Sequence, residues 1–124
     1  MLYDPSNIFA KIIRGDLPCK KIYEDEHIIA FPDIAPAAPV HVLVVPKGEY
    51  ISFDDFIARA PQEAVAHFFV TVQQIAAMLG VVKTGYRLIM NHGPHASQSV
   101  AHFHVHILGG RALGGLLPDD ALVR

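Results

Sequence analysis

Residues 101–108 run Ala-His-Phe-His-Val-His-Ile-Leu, so three histidines stand two positions apart in an otherwise apolar stretch: His102, His104 and His106. Successive side chains of a β-strand point to opposite faces of its sheet. A strand here therefore places the imidazoles on one face and buries the intervening side chains on the other: Phe103, Val105 and Ile107. The stretch predicts a strand with one face that packs in the core and one face that presents the three imidazoles.

The residue pattern leaves three uses for these imidazoles open. Consecutive histidines on a strand lie about 6.6 Å apart and the outer two about 13 Å. A pair could therefore chelate a metal ion, whereas the third side chain would have to bend toward the same ion to share it. A neutral imidazole with a pKa near about 6.5 suits nucleophilic attack or proton transfer at neutral pH. The third alternative is a solvated strand without a function. The pattern favours catalysis, because that use employs every histidine.

Composition narrows the class of protein. The chain has 124 residues and fits a single domain, 1–124. Its 52% hydrophobic and 18% charged residues are typical of a globular protein, and its net charge of -2 gives no electrostatic reason to expect nucleic acid or an anionic membrane as a partner. The single cysteine, Cys19, forms no internal disulfide, and the chain begins without a secretory signal or any membrane-spanning run. We expect a soluble cytoplasmic protein.

Outward from the histidine strand, the chain predicts further elements. Gly85–Asn91 is an expected strand, joined to the histidine strand by a loop over 92–98. A long helix is expected over Ala60–Gly80, with its apolar stripe at Val65, Phe68, Phe69, Val72, Ile75 and Leu79. His67 lies beside that stripe and is assigned no function. The segment 111–124 is expected to be a tail that docks on a partner subunit.

The first half of the chain predicts one short helix and three strands. Asp4-Pro5 is the expected start of the helix and Gly15 its end. The expected strands are Lys20–Glu24, His27–Pro32 and His41–Lys47, and their short connections favour antiparallel hairpins. A proline-rich loop, 33–39, leaves the sheet between the last two of these strands, where ligand-binding residues often lie.

The stretch from His102 to Leu108 has the pattern His-apolar-His-apolar-His-apolar-apolar, and with it the chain resembles the histidine triad (HIT) family of nucleotide hydrolases and transferases. Further segments resemble its Hint-type branch in order and spacing: 22–26, 30–34, 39–47 and 98–100. The resemblance implies an α+β fold with a five-stranded antiparallel sheet, one long helix and one short helix. It also implies a homodimer whose two sheets form one ten-stranded sheet, and a purine nucleotide bound near the histidines.

The same resemblance implies catalytic roles. In the family's pattern the middle histidine attacks the α-phosphate, so His104 would form a transient nucleotidyl-histidine that water resolves. An imidazole is a good nucleophile when neutral and a good leaving group once bonded to phosphorus. His106 matches the residue that hydrogen-bonds the phosphate, and His102 and His41 match the pair that orients the site. Ser99 matches the hydroxyl beside the scissile bond, where a leaving amine collects a proton.

Binding roles follow from the resemblance as well. Asp33 matches the acid that accepts hydrogen bonds from both ribose hydroxyls, a task that suits an acceptor-only carboxylate. Asn91, Ser97 and Gln98 match groups that hold the phosphate, without a metal or any other cofactor. Five residues, each of which would singly be ordinary core, match the apolar slot for the base: Ile8, Phe9, Ile12, Phe31 and Ile34. Such a slot has few polar groups, so we expect weak discrimination between adenine and guanine.

The chain also departs from the family's pattern. Many bacterial relatives bind zinc through a Cys-x-x-Cys pair and a later histidine, and these positions correspond here to Asn7, Ala10 and Glu49. None supplies a thiolate, so we predict no structural zinc. Pro32 replaces a histidine and Ala96-Ser97 a glycine pair, which predicts a tighter phosphate loop and an altered turnover rate. The tail lacks the branch's tryptophan-proline pattern, which predicts a different leaving-group preference.

Two positions favour one activity within the family. His106 stands where nucleotidyl transferases have glutamine, which indicates hydrolysis, and Asn91 resembles the phosphoramidate-cleaving branch. The resemblance therefore implies a hydrolase that cleaves purine nucleoside 5′-phosphoramidates of the AMP-NH2 or AMP-lysine type. Two alternatives stay open: a dinucleoside polyphosphate hydrolase, and a non-catalytic regulatory module that binds AMP or GMP.

Overall fold

A five-stranded antiparallel sheet organises the computed structural model, which describes residues 2–117. The strands are β1 (Tyr23–Glu24), β2 (Ile28–Pro32), β3 (Val40–Pro46), β4 (Tyr86–Ile89) and β5 (Val105–Gly109), and their order across the sheet is β1-β2-β3-β5-β4. The helices are α1 (Ile8–Arg14), α2 (Phe53–Arg59) and α3 (Gln62–Met78). The expected α+β class and antiparallel sheet are confirmed; β1, β2 and β4 are shorter than predicted, and β3 has the predicted length but begins one residue earlier.

One helix is absent from the sequence-based expectations. Helix α2 has only seven residues, and the side chain of Ser52 caps it by accepting a hydrogen bond from the Asp55 N–H. The run Ser52-Phe53-Asp54-Asp55 carries a capping signal, a serine followed three residues later by an acid, with two acids in the first turn. This capping signal is sufficient to predict α2 from the sequence.

The prediction that one strand carries all three histidines is wrong in part. Only His106 lies in β5, which begins at Val105. The backbone N–H of Phe103 donates to the Tyr50 carbonyl oxygen at 2.7 Å, so the segment before β5 pairs with a loop instead of a strand. The alternation itself is confirmed, because Phe103, Val105 and Ile107 belong to one core cluster while the imidazoles lie outside it.

The sheet separates two cores. The side that we call the helix face packs against α2 and α3, and its buried residues include Val44, Val105 and Ile107 of the sheet with Phe56 and Phe68 of the helices. The opposite side, which we call the site face, has a smaller buried cluster: Phe9, Ile29, Phe31, Leu43 and Val45. Because neighbouring residues along β2 and β3 alternate between the clusters, both faces of the sheet are covered.

The two ends of α1 differ in how well the sequence predicted them. Asn7, not Asp4-Pro5, caps α1, because its Oδ1 accepts the Ala10 N–H at 2.9 Å; Asp4 instead accepts hydrogen bonds from Ser6. Gly15 ends the helix as expected, with a φ of 83° that favours glycine.

The tail is only partly described by the structure. Residues 111–117 belong to no regular element, and the guanidinium of Arg111 donates to the Ala37 carbonyl oxygen. The rest of the expected tail, 118–124, lies outside the described residues. Within residues 2–117, no helix combines the length and apolar character needed to cross a membrane.

Candidate active site

A pocket of about 740 Å³ opens on the site face beside α1. Its volume is in the range of small-molecule sites. Phe9, Phe31 and Leu43 are buried in its floor, whereas Ile34 is 98% exposed at its rim. Nine of the residues predicted for the site line this pocket: Ile8, Phe9, Ile12, Phe31, Asp33, Ile34, Ser99, His104 and His106.

Hydrogen bonds define which nitrogen of His104 carries its proton. The Nδ1 atom of His104 lies 2.7 Å from the backbone carbonyl oxygen of His102. A carbonyl only accepts, so Nδ1 carries the hydrogen and Nε2 keeps its lone pair. His104 is 8% exposed and lines the pocket, and no hydrogen bond within residues 2–117 occupies its Nε2 lone pair.

His102 lies behind His104 and is fully buried. Its Nε2 donates to the Pro46 carbonyl oxygen at 2.7 Å, which leaves Nδ1 as an acceptor. The hydroxyl of Tyr3 lies 2.6 Å from Nδ1 and is its donor. Both ring nitrogens of His102 are therefore engaged away from the pocket, and His102 does not line it.

A second pair of histidines is ordered in the same way. The Ala37 N–H donates to Nδ1 of His41 at 3.0 Å, so the proton of His41 is on Nε2. That Nε2 lies 2.8 Å from Nδ1 of His106 and 3.4 Å from Oδ2 of Asp33. His106 accepts at Nδ1 and carries its own proton on Nε2. His41 is buried and does not line the pocket, but its hydrogen bond to Nδ1 leaves His106 with an N–H donor at Nε2.

Burial keeps the imidazoles neutral. It lowers the pKa of His102 to about 4, and it lowers the pKa of His104 in the same direction. The pKa of His106 also falls to about 4, first through burial and then through the positive charges that His104 and His41 would carry. These rings are therefore unprotonated bases near pH 7, the form in which an imidazole is nucleophilic.

An aromatic wall holds the His104 ring in place. The ring of Phe9 meets His104 edge-on with centroids 4.9 Å apart, and it meets Phe31 at 5.6 Å. His106 packs against the other side of His104 at 5.1 Å. Because α1 carries Phe9, the short helix positions the His104 ring as well as the apolar lining of the pocket.

The structure does not bring the predicted phosphate-binding residues Asn91, Ser97 and Gln98 into the pocket lining. The Gln98 side chain instead braces its loop, accepting from the Gly93 N–H and donating to two carbonyl oxygens, those of Ile51 and Val100. Ser97 has a φ of 59°, a left-handed conformation that favours glycine. Their contacts with phosphate stay predictions.

Several residues of the site were missed by sequence reasoning. Seven of them line the pocket: Leu17, Pro18, Cys19, Lys20, Pro32, Leu43 and Val100. Leu43 could have been found, because it pairs with Phe31 across β2 and β3 and therefore shares its face. Tyr3 had no signal, since only the fold brings it to a histidine 99 positions later.

The residues at the expected zinc positions do not fit that metal. The Asn7 side chain is used at both ends, with Oδ1 capping α1 and Nδ2 donating to the Asp4 carbonyl oxygen. Ala10 has no ligand atom and is buried. Elsewhere in the described chain, Asp33, His41 and His106 bring ligand atoms within 4.8 Å of one another. The hydrogen bond between the two imidazoles accounts for that proximity, and the absence of a metal stays a prediction.

The chain is similar in sequence and fold to known proteins. The HIT domain family model matches residues 14–113. Over 115 residues the chain is 39% identical to the purine nucleoside phosphoramidase of Escherichia coli K12, covering 93% of this chain and 96% of that protein. It is 49% identical to an uncharacterized 13.2 kDa HIT-like protein of Azospirillum brasilense, with 93% and 94% covered. A solved histidine triad protein from Clostridium difficile superposes with a TM-score of 0.81 at 39% identity, covering 94% of this chain and 100% of that one.

Proposed function

This chain belongs to the HIT domain family, and we propose that it is a nucleotide-binding hydrolase that cleaves purine nucleoside 5′-phosphoramidates. The observation that carries the proposal is the free Nε2 lone pair of His104 in a pocket of nucleotide-compatible size. The phosphoramidase relative supports the choice of bond, because it shares 39% identity over nearly the whole chain.

In the first step, Nε2 of His104 attacks the α-phosphorus and the P–N bond breaks. The electron pair of that bond goes to the leaving nitrogen, which takes a proton through the Ser99 hydroxyl and departs as an amine; solvent returns the proton to Ser99. The ring gains positive charge as the N–P bond forms. The His102 carbonyl oxygen, 2.7 Å from Nδ1, stabilises that charge without moving.

In the second step, water attacks the phosphorus and the bond to Nε2 breaks, which releases a nucleoside monophosphate and the neutral imidazole. A proton from the water returns to solvent. The proton on Nε2 of His106 hydrogen-bonds a phosphate oxygen in both steps and stabilises the charge that develops there. The net reaction consumes one water for each P–N bond and requires no cofactor.

The nucleoside occupies the apolar part of the pocket. Phe9, Phe31 and Ile34 contact the purine, while the carboxylate of Asp33 accepts hydrogen bonds from the ribose hydroxyls. Asn91, Ser97 and Gln98 belong to the loop and strand end that close over the phosphate. This arrangement supplies shape and ribose recognition but few groups that distinguish adenine from guanine.

We also propose that the chain works as a homodimer in the cytoplasm. Strand β4 lies at the edge of the sheet, where its backbone groups can pair with a second copy to give ten strands. Leu88 on this strand is 45% exposed and Met90 just beyond it is 40% exposed, which supports an apolar contact there. The free thiol of Cys19 fits a reducing compartment.

The test compares three ligand classes on the wild-type protein and on His104→Ala. Fluorogenic adenosine and guanosine 5′-phosphoramidates report P–N cleavage, a dinucleoside tetraphosphate reports anhydride cleavage, and calorimetry with AMP and GMP reports binding. The proposal expects fast cleavage of both phosphoramidates, none above background with His104→Ala, and an acid-trapped nucleotide adduct on His104. Preferred cleavage of the tetraphosphate would replace the proposed substrate, whereas AMP binding without turnover would identify a binding module.

A further inference from the structure

Tyr3 stands outside the pocket but touches the catalytic cluster. It belongs to the segment before α1, and its ring meets that of His102 edge-on with centroids 5.5 Å apart. Its hydroxyl lies 2.6 Å from Nδ1 of His102. Among residues 2–117, no other hydrogen bond reaches that nitrogen. A side chain from the segment before α1 thus completes the hydrogen bonding of a histidine 99 positions later.

The direction of this bond follows from the other side of the ring. Nε2 of His102 faces the Pro46 carbonyl oxygen at 2.7 Å and must donate to it. Nδ1 is then an acceptor, and the Tyr3 hydroxyl must be its donor. Burial raises the pKa of the Tyr3 hydroxyl above its ordinary value, against a smaller opposite effect of the Asn7 amide, so the donor proton is retained at neutral and mildly basic pH.

His102 connects this bond to the nucleophile. A ring held at both nitrogens cannot rotate, and the residue's backbone carbonyl is the group that accepts from Nδ1 of His104 at 2.7 Å. That carbonyl decides both the tautomer of His104 and the direction of its Nε2 lone pair. We propose that Tyr3 is a positioning residue, which holds His102 so that its carbonyl presents the Nε2 lone pair of His104 to the phosphorus.

The proposal rests on the proposed function for its kinetic test, and it has a structural test of its own. Tyr3→Phe removes the hydroxyl and keeps the ring contact with His102. Tyr23→Phe is a matched control, because the Tyr23 hydroxyl also makes one side-chain hydrogen bond, to Oδ2 of Asp25 at 2.7 Å, and does not contact the histidine cluster. Both variants lose a single phenolic hydroxyl, so a general loss of stability would affect both.

The kinetic expectation is a division between kcat and KM. Tyr3→Phe should lower kcat on an adenosine phosphoramidate about tenfold, as loss of an orienting partner one residue removed from the reacting group does, while KM stays within about twofold. Tyr23→Phe should leave both constants unchanged. Wild-type kcat in Tyr3→Phe, or a kcat that falls only in step with a rising KM, would overturn the proposal.

A spectroscopic measurement decides the same point without turnover. In the wild-type protein, ¹⁵N spectra of the histidine rings should show His104 as a single Nδ1–H tautomer at neutral pH. In Tyr3→Phe the Nδ1 signal of His102 should shift and the His104 signals should broaden or show a second tautomer, although Tyr3 does not touch that ring. Unchanged His104 signals would overturn the proposal. If the wild-type protein cleaves none of the substrates, the proposed function fails while these spectra still decide the role of Tyr3.

Discussion

The two faces of the sheet are built from the same strands for different purposes. The helix face is a continuous apolar core in which the rings of Phe56, Phe68 and Phe103 lie within 5.4 Å of one another, centroid to centroid. The site face buries fewer apolar side chains and places imidazoles beside a cavity. Adjacent residues of the segment 102–107 serve opposite faces. The alternation of this one short segment therefore separates the residues that stabilise the fold from those proposed to carry out the chemistry.

Each face has a different energetic consequence. Burying the phenylalanines of the helix face removes apolar surface from water and contributes stability. Burying His102 and His104 removes groups that could be charged from water, and the site face compensates by giving their ring nitrogens the hydrogen bonds described above. The helix face should therefore control folding, and the site face should control turnover.

The largest expected effect is on turnover at the site face. His104→Asn removes the proposed nucleophilic nitrogen and keeps an amide N–H that can still donate to the His102 carbonyl. We expect kcat to fall at least about 10³-fold, since in the proposed mechanism Nε2 of His104 forms the covalent intermediate. Steady-state kinetics measures this loss, and the urea midpoint should stay near that of the wild type. Substantial residual turnover with a trapped adduct on another residue would contradict the separation of the faces.

The next largest effect should appear at the helix face. Phe68 is fully buried on α3 and contacts three aromatic rings, those of Phe56, Phe69 and Phe103. Phe68→Ala should lower the free energy of unfolding by about 3 to 5 kcal/mol, because the removed ring leaves a cavity that the helix cannot close. Urea unfolding measures this change in the free energy of unfolding. The folded protein, assayed well below its melting temperature, should keep a kcat within about threefold of wild type; a larger loss would show that the faces are coupled.

Acid should weaken folding through the site face. Unfolded histidine titrates near its ordinary pKa, whereas the folded pKa values of His102 and His106 are about 4. Between these pH values the unfolded chain binds more protons, so the free energy of unfolding falls as the pH falls through the window. For His102 alone the loss between about pH 8 and pH 5 is about 2 kcal/mol.

Urea titrations at a series of pH values test this expectation, and His106→Gln is the control. Removing one depressed histidine should flatten the pH dependence between about pH 6.5 and 4. The carboxyls of Asp25 and Asp55 have folded pKa values of about 2, lowered from 3.8, so the stability that they contribute is lost mainly between these two values, below this window. A slope that is unchanged in the variant, or stability that rises on acidification in this window, would contradict the assignment.

Sequence reasoning reached the site through local patterns and missed what is non-local. The spacing of His102, His104 and His106 predicted which residues share a face, because alternation is a property of extended backbone. It could not predict that β5 starts only at Val105, since that boundary depends on a hydrogen bond from Phe103 to the distant Tyr50.

The same distinction between local and non-local features applies to the other residues around the pocket. The apolar slot was predicted from a resemblance that preserves local order, and five of its five predicted residues line the pocket: Ile8, Phe9, Ile12, Phe31 and Ile34. Tyr3 was missed, because a phenol near the start of a chain carries no local sign of its partner. Tautomers were also beyond sequence reasoning, as they depend on carbonyl positions that only the folded backbone defines.

A smaller effect, on KM, is expected from a substitution that tests ribose recognition on the site face. Asp33 lines the pocket and its Oδ1 accepts the Ala35 N–H, while Oδ2 lies 3.4 Å from Nε2 of His41. Asp33→Asn should raise KM for a ribonucleoside phosphoramidate about tenfold, because an uncharged amide accepts more weakly from the two hydroxyls. The matching 2′,3′-dideoxy substrate should show no such change. Equal effects on both substrates would assign Asp33 to the ordering of His41 instead.

The smallest effect should come from the backbone of the loop 92–98, where adjacent residues are expected to change the free energy of unfolding in opposite directions. Ser97 holds a φ of 59° and a ψ of 39°, which costs a residue with a Cβ about 1 kcal/mol relative to glycine. Ser97→Gly should therefore raise the free energy of unfolding by up to about 1 kcal/mol. Ala96 lies in the preceding 3-10 turn, Pro94–Ala96, without a positive φ, so Ala96→Gly should lower it by about 0.5 to 1 kcal/mol.

The two glycine variants are matched in position and in the residue introduced, so unfolding in urea isolates the conformation of the backbone. Relief of strain at Ser97 leaves the His104 network untouched, and kcat should change by less than about threefold in either variant. If both substitutions destabilise the protein equally, the loop does not hold Ser97 in a left-handed conformation in solution. If Ser97→Gly instead raises kcat strongly, the loop limits turnover, and the site face depends on its backbone as well as on its histidines.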